Sequence, residues 1–302
     1  MGVYSYSQPR RHQLNHLLIL LTIALFITQT LSLKLVRADT FSYKLLTNCF
    51  FTLFAALIMG FLGFFFPSIF QISRISLCCG ILFGILFSLT ILFYLSAVSC
   101  GSLSYTSFYL SSSMLLPVLA GIFFFHESLS IPLIMSLLFF TGAFYFLNAP
   151  EKHSAHERKW LLFCILTFLC NGSAGIIQKT QQSLSYGKES SGFILIGFIT
   201  ASACYFIVYL FTSTKQNISC PLNILKINIL RILLLSVSSL FGNLLLTFLA
   251  GNFSGSYLFP LVQGSIILGV TLCSTIFFKE KLTRNGKLGI LFGTIGIILI
   301  NI

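Results

Sequence analysis

Two stretches of the sequence decide the fold: Gly101-Ser-Leu-Ser-Tyr105, which leads to Phe124-Phe-His-Glu127-Ser-Leu-Ser130, and Gly255-Ser-Tyr257, which leads to Phe277-Phe-Lys-Glu280-Lys-Leu-Thr283. In both, a Gly-Ser start is joined to a Glu-x-Leu-Ser/Thr turn by one long apolar segment. Glu127 follows Gly101 by 26 positions, and Glu280 follows Gly255 by 25. Each turn then opens another apolar segment that contains glycine. We interpret the two stretches as equivalent parts of an internal repeat.

The composition places these segments in a membrane. Of the 302 residues, 56% are hydrophobic, 15% are aromatic and only 8% are charged, whereas an ordinary soluble domain carries about 25% charged residues. A soluble enzyme, a nucleic-acid-binding domain and a disordered chain are therefore excluded. The net charge of +12, from 18 Lys and Arg against 6 Asp and Glu, is typical of basic loops that meet anionic lipid headgroups.

Apolar runs separated by short polar breaks fill the chain, and most have the length of about 17–25 residues that a membrane crossing requires. Because every backbone polar group in hydrocarbon needs an internal partner, such runs must be helices. We predict ten spans: Leu14–Leu33, Leu45–Phe66, Ile75–Val98, Ser102–Phe125, Leu129–Asn148, Trp160–Gln178, Gly192–Thr212, Ile229–Ala250, Ser254–Phe278 and Lys287–Ile302.

The polar interval 150–159 divides these spans five and five. Two halves with an odd number of spans lie in opposite orientations, an arrangement common in secondary transporters. We therefore predict an all-α membrane protein of ten transmembrane helices in two inverted five-helix repeats, residues 1–149 and 160–302, joined by the polar linker.

The turns at Glu127–Ser130 and Glu280–Thr283, each ending a helix that contains Gly, Ser and Pro, resemble those of the EamA-type branch of the drug/metabolite transporter superfamily. The resemblance implies ten helices around a central cavity lined by the first, third, fourth, sixth, eighth and ninth. It also implies transport of amino acids, other metabolites, drugs or nucleotide sugars. We accordingly expect an integral, multi-pass protein of the plasma membrane.

Charged groups within the spans are scarce, although such groups mark functional sites in membranes. The related small multidrug resistance proteins use a glutamate in their first helix for proton-coupled export. Neither Leu14–Leu33 nor Trp160–Gln178 contains a carboxylate, so facilitated or exchange transport is favoured over simple proton antiport.

Polar side chains on the helices that the resemblance places around the cavity are the candidates for binding substrate. Lys34 and Lys179 close the first helices of the two halves, where they either bind an anion or extend to the headgroups. The predicted substrate-binding set is Asn171, Gln178, Lys179, Tyr105, Tyr257 and Gln263. For each residue, hydrogen bonding between helices is the alternative role.

Two carboxylates and two prolines are the candidates for gating. Glu127 and Glu280 stand at helix junctions, where a carboxylate either accepts N–H bonds from the next helix or takes part in gating or ion coupling. Pro117 and Pro260 are expected to interrupt the fourth and ninth helices, as hinges or as static bends.

We predict no enzymatic activity, no cofactor and no metal site. Walker-type and nucleophile-elbow motifs are missing from the sequence, and His153-x-x-His156-Glu157 is a weak metal pattern in a basic loop. The nine cysteines include no Cys-x-x-Cys pair. We expect a small-molecule substrate and the lipid bilayer as partners, and no nucleic acid. Gly-x-x-x-Gly segments such as Gly80–Gly84 serve either internal packing or a homodimer.

The orientation of the termini is predicted in two opposite ways. With the N-terminus on a first side, that side collects five Lys and Arg and the second side collects thirteen. The positive-inside rule makes the second side cytoplasmic and places both termini outside, whereas the resemblance implies cytoplasmic termini.

These observations predict a secondary transporter of small organic solutes, a metabolite or drug exporter that works by alternating access about a midplane cavity. One alternative is uptake or exchange of an anion such as a phosphorylated or nucleotide sugar. Alternatives of another class are a membrane-embedded lipid-modifying enzyme and a non-transporting scaffold.

Overall fold

A computed structural model describes residues 8–35, 41–100, 103–128, 130–147, 157–213, 221–277 and 284–300. These residues form eleven α-helices and a short 3₁₀ helix, Pro67–Phe70. The helices are α1 (Gln8–Leu35), α2 (Phe41–Phe65), α3 (Arg74–Cys100), α4 (Leu103–Ser112), α5 (Leu115–Phe124), α6 (Ile131–Leu147), α7 (Glu157–Leu184), α8 (Ser190–Ser213), α9 (Pro221–Asn252), α10 (Gly255–Phe277) and α11 (Arg284–Ile300).

The described part of the chain is all-helical, as predicted, and has the character of a membrane protein. Seven of its helices, α1, α2, α3, α7, α8, α9 and α10, are long and apolar enough to cross a bilayer. The other four are shorter, so the count of ten spans stays a prediction. Large apolar side chains such as Phe64, Phe124 and Leu230 are 80%, 78% and 79% exposed on the outside of the bundle, where lipid would cover them.

The fourth predicted span is broken, but not at its proline. α4 ends at Ser112 and α5 begins at Leu115. At the break the hydrogen bonds join residues three apart instead of four: the Met114 N–H donates to Ser111 O (3.3 Å) and the Leu116 N–H to Ser113 O (3.1 Å). Pro117 lies inside α5, just after the break. Its missing N–H prevents the regular bond to Ser113 O.

The expectation that Pro260 interrupts its helix is wrong, because α10 runs through it from Gly255 to Phe277. Pro260 is the sixth residue of α10, so only one backbone bond of the first turns is lost. A single loss is tolerated in membrane helices when neighbouring helices or local adjustment satisfy the freed groups. The proline alone therefore does not determine where a helix breaks.

Helices from the first half of the sequence pack on helices from the second half. α1 packs on α9, α3 on α7 and α8, α2 on α8 and α9, and α6 on α11. The largest buried cluster joins α2, α3, α8 and α9 around Phe51, Phe83 and Phe198. The bundle is therefore held together by contacts between distant segments of the chain.

Small residues set the distance between α3 and α8. A Cβ on Gly84 would collide with the Gly197 carbonyl oxygen and lie 2.7 Å from the Thr200 Cβ, and one on Gly80 would lie 2.9 Å from the Ile196 Cβ. The Gly80-x-x-x-Gly84 segment thus serves internal packing, since glycines let membrane helices approach closely.

We predict that Gly84→Ala destabilises the protein by about 1–3 kcal/mol, the usual cost of overpacking, because the atom in its way is backbone and cannot rotate aside. Thermal unfolding in lipid nanodiscs measures the effect. Gly60→Ala is the control, because no atom lies within 4 Å of the added methyl group. Equal melting temperatures for the two variants would contradict the packing described for α3 and α8.

Candidate gate at the first side of the bundle

Four helix ends meet at the first side of the bundle: the C-terminal ends of α5, α7 and α9 and the N-terminal end of α10. Glu127 follows α5, Lys179 lies near the end of α7, and Gly255 begins α10 three residues after α9 ends at Asn252. Both charged side chains are nearly enclosed, with 10% of Glu127 and 14% of Lys179 exposed.

The turn after α5 directs Glu127 back over its own helix. The Glu127 N–H donates to Gly121 O (3.0 Å), and His126 has a left-handed backbone with φ of +52°, which is uncommon outside glycine. Gly121 leaves room for the returning carboxylate, because a Cβ there would overlap Glu127 Oε2. The local sequence therefore holds the carboxylate against the start of α10.

Glu127 caps the first turn of α10. Its Oε1 accepts the Gly255 N–H and its Oε2 accepts the Ser256 N–H, both at 2.8 Å. The first N–H groups of a helix have no partner within that helix and carry a partial positive charge. A carboxylate placed there satisfies two of them. The expectation that Glu127 caps the next helix in the chain is wrong, since Ser130 Oγ accepts the Leu133 N–H of α6 instead.

Lys179 binds the free carbonyl groups at the end of α9. Its Nζ donates to Phe253 O (2.7 Å) and Ala250 O (3.0 Å) and lies 3.3 Å from Glu127 Oε1. The last carbonyl groups of a helix lack partners and carry a partial negative charge, which favours a cation. The Glu127–Lys179 pair thus neutralises the end of α9 and the start of α10 together.

The surroundings of Glu127 favour its charged form. Burial alone would raise the pKa of the carboxyl group. The N–H groups of Ser256 and Gly255, the Ser256 side chain and the Lys179 ammonium outweigh burial and lower that pKa below its usual value near 4.5. The Glu127 carboxyl group is therefore ionised at neutral pH. The Phe125 ring covers one side of the Lys179 ammonium group, with its centroid 6.0 Å from Nζ.

Two more of the predicted binding residues hold α7 to its neighbours. The Gln178 amide donates to Thr247 Oγ1 on α9 (3.1 Å). The Asn171 amide donates to Ser113 Oγ (2.6 Å) and to Leu110 O (3.3 Å), at the break between α4 and α5. Asn171 thus bonds a carbonyl group at the point where the helix ladder is interrupted.

The remaining predicted residues fall at several places. Tyr257 on α10 is half-buried and its ring stacks on Phe253, with 5.8 Å between centroids. Gln263 lies half-buried further along α10. The side chains of Tyr105 and Lys34 and the whole of Glu280 lie outside the described residues, as does most of the His153–Glu157 pattern. Substrate binding by this set stays a prediction.

The sequence analysis did not identify a second polar group, which lies beside the Glu127–Lys179 pair. Glu189 Oε2 accepts the Ser73 N–H (3.0 Å) and hydroxyl (2.7 Å) just before α3. Gln181 donates to Ser76 Oγ (2.9 Å), and Gln182 to Ser190 Oγ (2.9 Å). The cluster of Gln-Lys-Thr-Gln-Gln at the end of α7 was the available signal, because such groups need partners in a membrane.

A crevice of about 330 Å³ lies beside this second group, between the start of α8 and α9. Its lining includes Ser68, Glu189, Ser190, Leu245 and Phe248. None of the predicted binding residues is among those that line it. Across the described ranges, no group of three or more His, Cys, Asp or Glu is placed to hold a metal ion.

One family model matches the second half of the chain. Residues 158–302 match the EamA-like transporter family, so the predicted resemblance is confirmed for these residues. Over this half the chain is therefore similar to a family of membrane transporters. Comparison with curated protein sequences gives no significant match.

The whole bundle has a counterpart among solved structures. One crystal structure superposes with a TM-score of 0.72 over 95% of this chain and 96% of the other, at 14% sequence identity. At that identity the similarity shows the fold and not the substrate.

We predict that Glu127→Gln lowers stability most at neutral pH. A group whose pKa is depressed by folding stabilises the protein above its unfolded pKa, and loses that contribution as pH falls through the folded pKa. The deficit of the variant relative to wild type is therefore full at pH 7, about 1–3 kcal/mol for a bond to a charged group. It shrinks below about pH 4.5. A deficit that stays constant in thermal unfolding from pH 7 to pH 3 would contradict this role.

Reversing the pair is predicted not to restore stability. The double variant Glu127→Lys/Lys179→Glu keeps the ion pair but places a cation at the start of α10 and an anion at the end of α9, both against the helix dipoles. Its melting temperature is expected to lie at or below those of the single variants. Recovery to the wild-type value would show that the mutual attraction matters and the helix ends do not.

Proposed function

We propose that the protein is a secondary transporter of small organic solutes, a metabolite or drug exporter of the plasma membrane, that works by alternating access. In this proposal residues 1–149 and 160–302 are two inverted five-helix halves. They rock against each other around a site in mid-bilayer, and the Glu127–Lys179 pair closes the passage at the first side.

The packing of the helices supports two inverted halves. A two-fold exchange of the halves would relate α1 to α7, α2 to α8, α3 to α9 and α6 to α11. The contact of α1 with α9 then has its equivalent in that of α3 with α7, and the contact of α2 with α9 in that of α3 with α8. The same exchange maps the α2–α8 contact onto itself, and likewise the α6–α11 contact. This reciprocity is what a repeat built from one packing pattern produces.

One departure from the symmetry supports the proposed cycle, and it is the observation that carries the proposal. At the first side α7 and α9 are in contact, through Gln178 with Thr247 and Lys179 with Ala250 O. The symmetric contact would join α1 and α3. Among the described residues those two helices share at most marginal contact. Over the described residues the α7–α9 contact at the first side thus has no equivalent between α1 and α3, as alternating access requires of each end state. The side chain of Lys34, the counterpart of Lys179 in the first half, lies outside these residues.

The Glu127–Lys179 pair is suited to close and release. Its bonds go to backbone groups of α9 and α10. When the first side opens, these groups and the two side chains bond to water instead, and no packed core has to be separated. A switching contact needs two states that differ by only a few kcal/mol. Buried hydrogen bonds to charged groups that gain water on opening, worth about 1.5–3 kcal/mol each, lie in this range.

The position of Lys179 favours organic solutes over the anionic alternative. All its described polar contacts go to protein, namely two carbonyl oxygens and Glu127. An anion would have to displace the Glu127 carboxylate to reach the ammonium group. Exchange of phosphorylated or nucleotide sugars therefore remains the second candidate, and it requires Lys179 to be released when the gate opens.

Reconstitution tests the proposal. We predict that the purified protein in liposomes exchanges at least one labelled solute in a panel of amino acids, nucleosides, cationic dyes and hexose phosphates. Glu127→Gln should reduce the initial rate by about tenfold, which corresponds to about 1.4 kcal/mol, because the closed state at the first side loses its carboxylate.

The matched control is Lys188→Met, which removes an exposed lysine at the same end and should leave the rate unchanged. Exchange of hexose phosphate alone, abolished by Lys179→Met, would favour the anionic alternative. Absence of exchange across the panel would sink the transporter proposal and leave the enzyme and scaffold alternatives.

A further inference from the structure

Helices α1 and α2 both pack on α9, and all three carry buried polar atoms that the protein does not satisfy. Within the described ranges, seven buried side-chain N or O atoms have no hydrogen-bond partner, and five of them belong to these three helices. They are Gln29 Oε1 and Ser32 Oγ on α1, Thr47 Oγ1 and Asn48 Nδ2 on α2, and Ser239 Oγ on α9. Apart from Gln29, each of these residues is at most 2% exposed.

The packing register brings Gln29 level with Ser239. α1 and α9 run in opposite directions, and the Phe26 ring lies 3.2 Å from where a Cβ on Gly242 would be. Three residues further along α1 is Gln29, and three residues back along α9 is Ser239. α2 packs on α9 as well, and Leu45 of α2 and Leu235 of α9 belong to one buried cluster.

Neighbouring polar residues on α9 behave differently. Ser236 and Ser238 donate to carbonyl groups of their own helix, to Ile232 O and Leu234 O, at 2.7 Å each. A serine in a helix always has that option, yet the Ser239 hydroxyl bonds to no group. A buried polar atom without a partner is costly, most of all in a membrane. Five such atoms on α9 and the two helices that pack on it indicate that a partner enters from outside the protein.

We infer that the α1–α2–α9 contact is a hydrogen-bonding subsite for an uncharged polar part of the transported solute. The set combines an amide oxygen, an amide N–H and three hydroxyl groups, and none of the five side chains carries a charge. Hydroxyl and amide groups of a solute match it, whereas a carboxylate or phosphate would enter without a counter-charge. This inference rests on the proposed function and adds the class of solute.

A line of polar residues connects the subsite with the gate. Ser239, Asn243 and Thr247 recur every four residues and so share one face of α9. Thr247 accepts the Gln178 amide of α7, and Lys179 follows with its bonds to Ala250 O and Phe253 O. A solute bound at Ser239 would therefore lie at the inner end of a polar path that finishes at the Glu127–Lys179 pair.

Adjacent serines provide the test and its control. Ser239→Ala removes a hydroxyl without a partner, so its melting temperature in nanodiscs should equal or exceed that of wild type. Its exchange of a labelled nucleoside or hexitol should fall about threefold to tenfold, the effect of one lost hydrogen bond. Ser238→Ala, equally buried but bonded within its helix, should leave the exchange unchanged.

A second readout needs no knowledge of the solute. Ser239→Cys and Ser238→Cys are reconstituted and treated with N-ethylmaleimide, a small uncharged reagent, and modification at each position is quantified by peptide mass spectrometry. Position 239 should react severalfold faster than position 238, because the subsite becomes wet during the cycle.

Two results would overturn the inference: equal labelling at the two positions, or unchanged exchange in Ser239→Ala. Failure of the wild type to move any solute would count against transport itself. In that case faster labelling at position 239 would still support a wetted polar subsite, so the two failures are distinguishable.

Discussion

Helix ends that are enclosed by protein need partners for their free backbone groups, and this constraint organises the first side of the bundle. α9 ends and α10 begins within three residues of each other, so unsatisfied carbonyl and N–H groups are presented side by side. Glu127 and Lys179 arrive from two other helices and satisfy both kinds. Charged side chains are scarce in the sequence, and among the described residues Glu127 and Lys179 bring two of them together.

The same constraint links the gate to the rest of the molecule. Lys179 stands at the end of a face of α7 that also carries Gln178 and Asn171, which bond α9 and the break between α4 and α5. Movement of α7 would therefore alter three polar contacts at different depths at once. The tightly packed α3–α8 contact, with glycines against backbone, offers no such freedom and is suited to act as a rigid support.

Much of the fold could be predicted because membrane helices must be long and apolar. The predicted span Gly192–Thr212 differs from α8 by two residues at its start and one at its end. The break at Ser113 could not be predicted, because Pro117 and Pro260 look alike in sequence. Only the structure shows that Asn171 bonds the Leu110 carbonyl group at the break between α4 and α5. Glu127 and Lys179 were recognised separately as candidates, but their pairing depends on how the ends of α5 and α7 come together beside α9 and α10.

The difference between Ser238 and Ser239 shows a second limit of sequence reasoning. Both are buried serines on one helix, and only the direction of the hydroxyl group separates a satisfied residue from an orphan. Residue type and spacing therefore do not distinguish the two serines, and only their hydrogen bonds in the folded protein do.

In the proposed cycle the Glu127–Lys179 pair holds the first side closed in one of two states. The most direct measurement is the distance distribution between spectroscopic labels on noncanonical amino acids at the exposed positions Ser128 and Asn252, in nanodiscs. We expect two populations of the distance between the labels, with the shorter distance dominant in wild type and the longer one dominant in Glu127→Gln. A single distribution that the substitution leaves unchanged would contradict it.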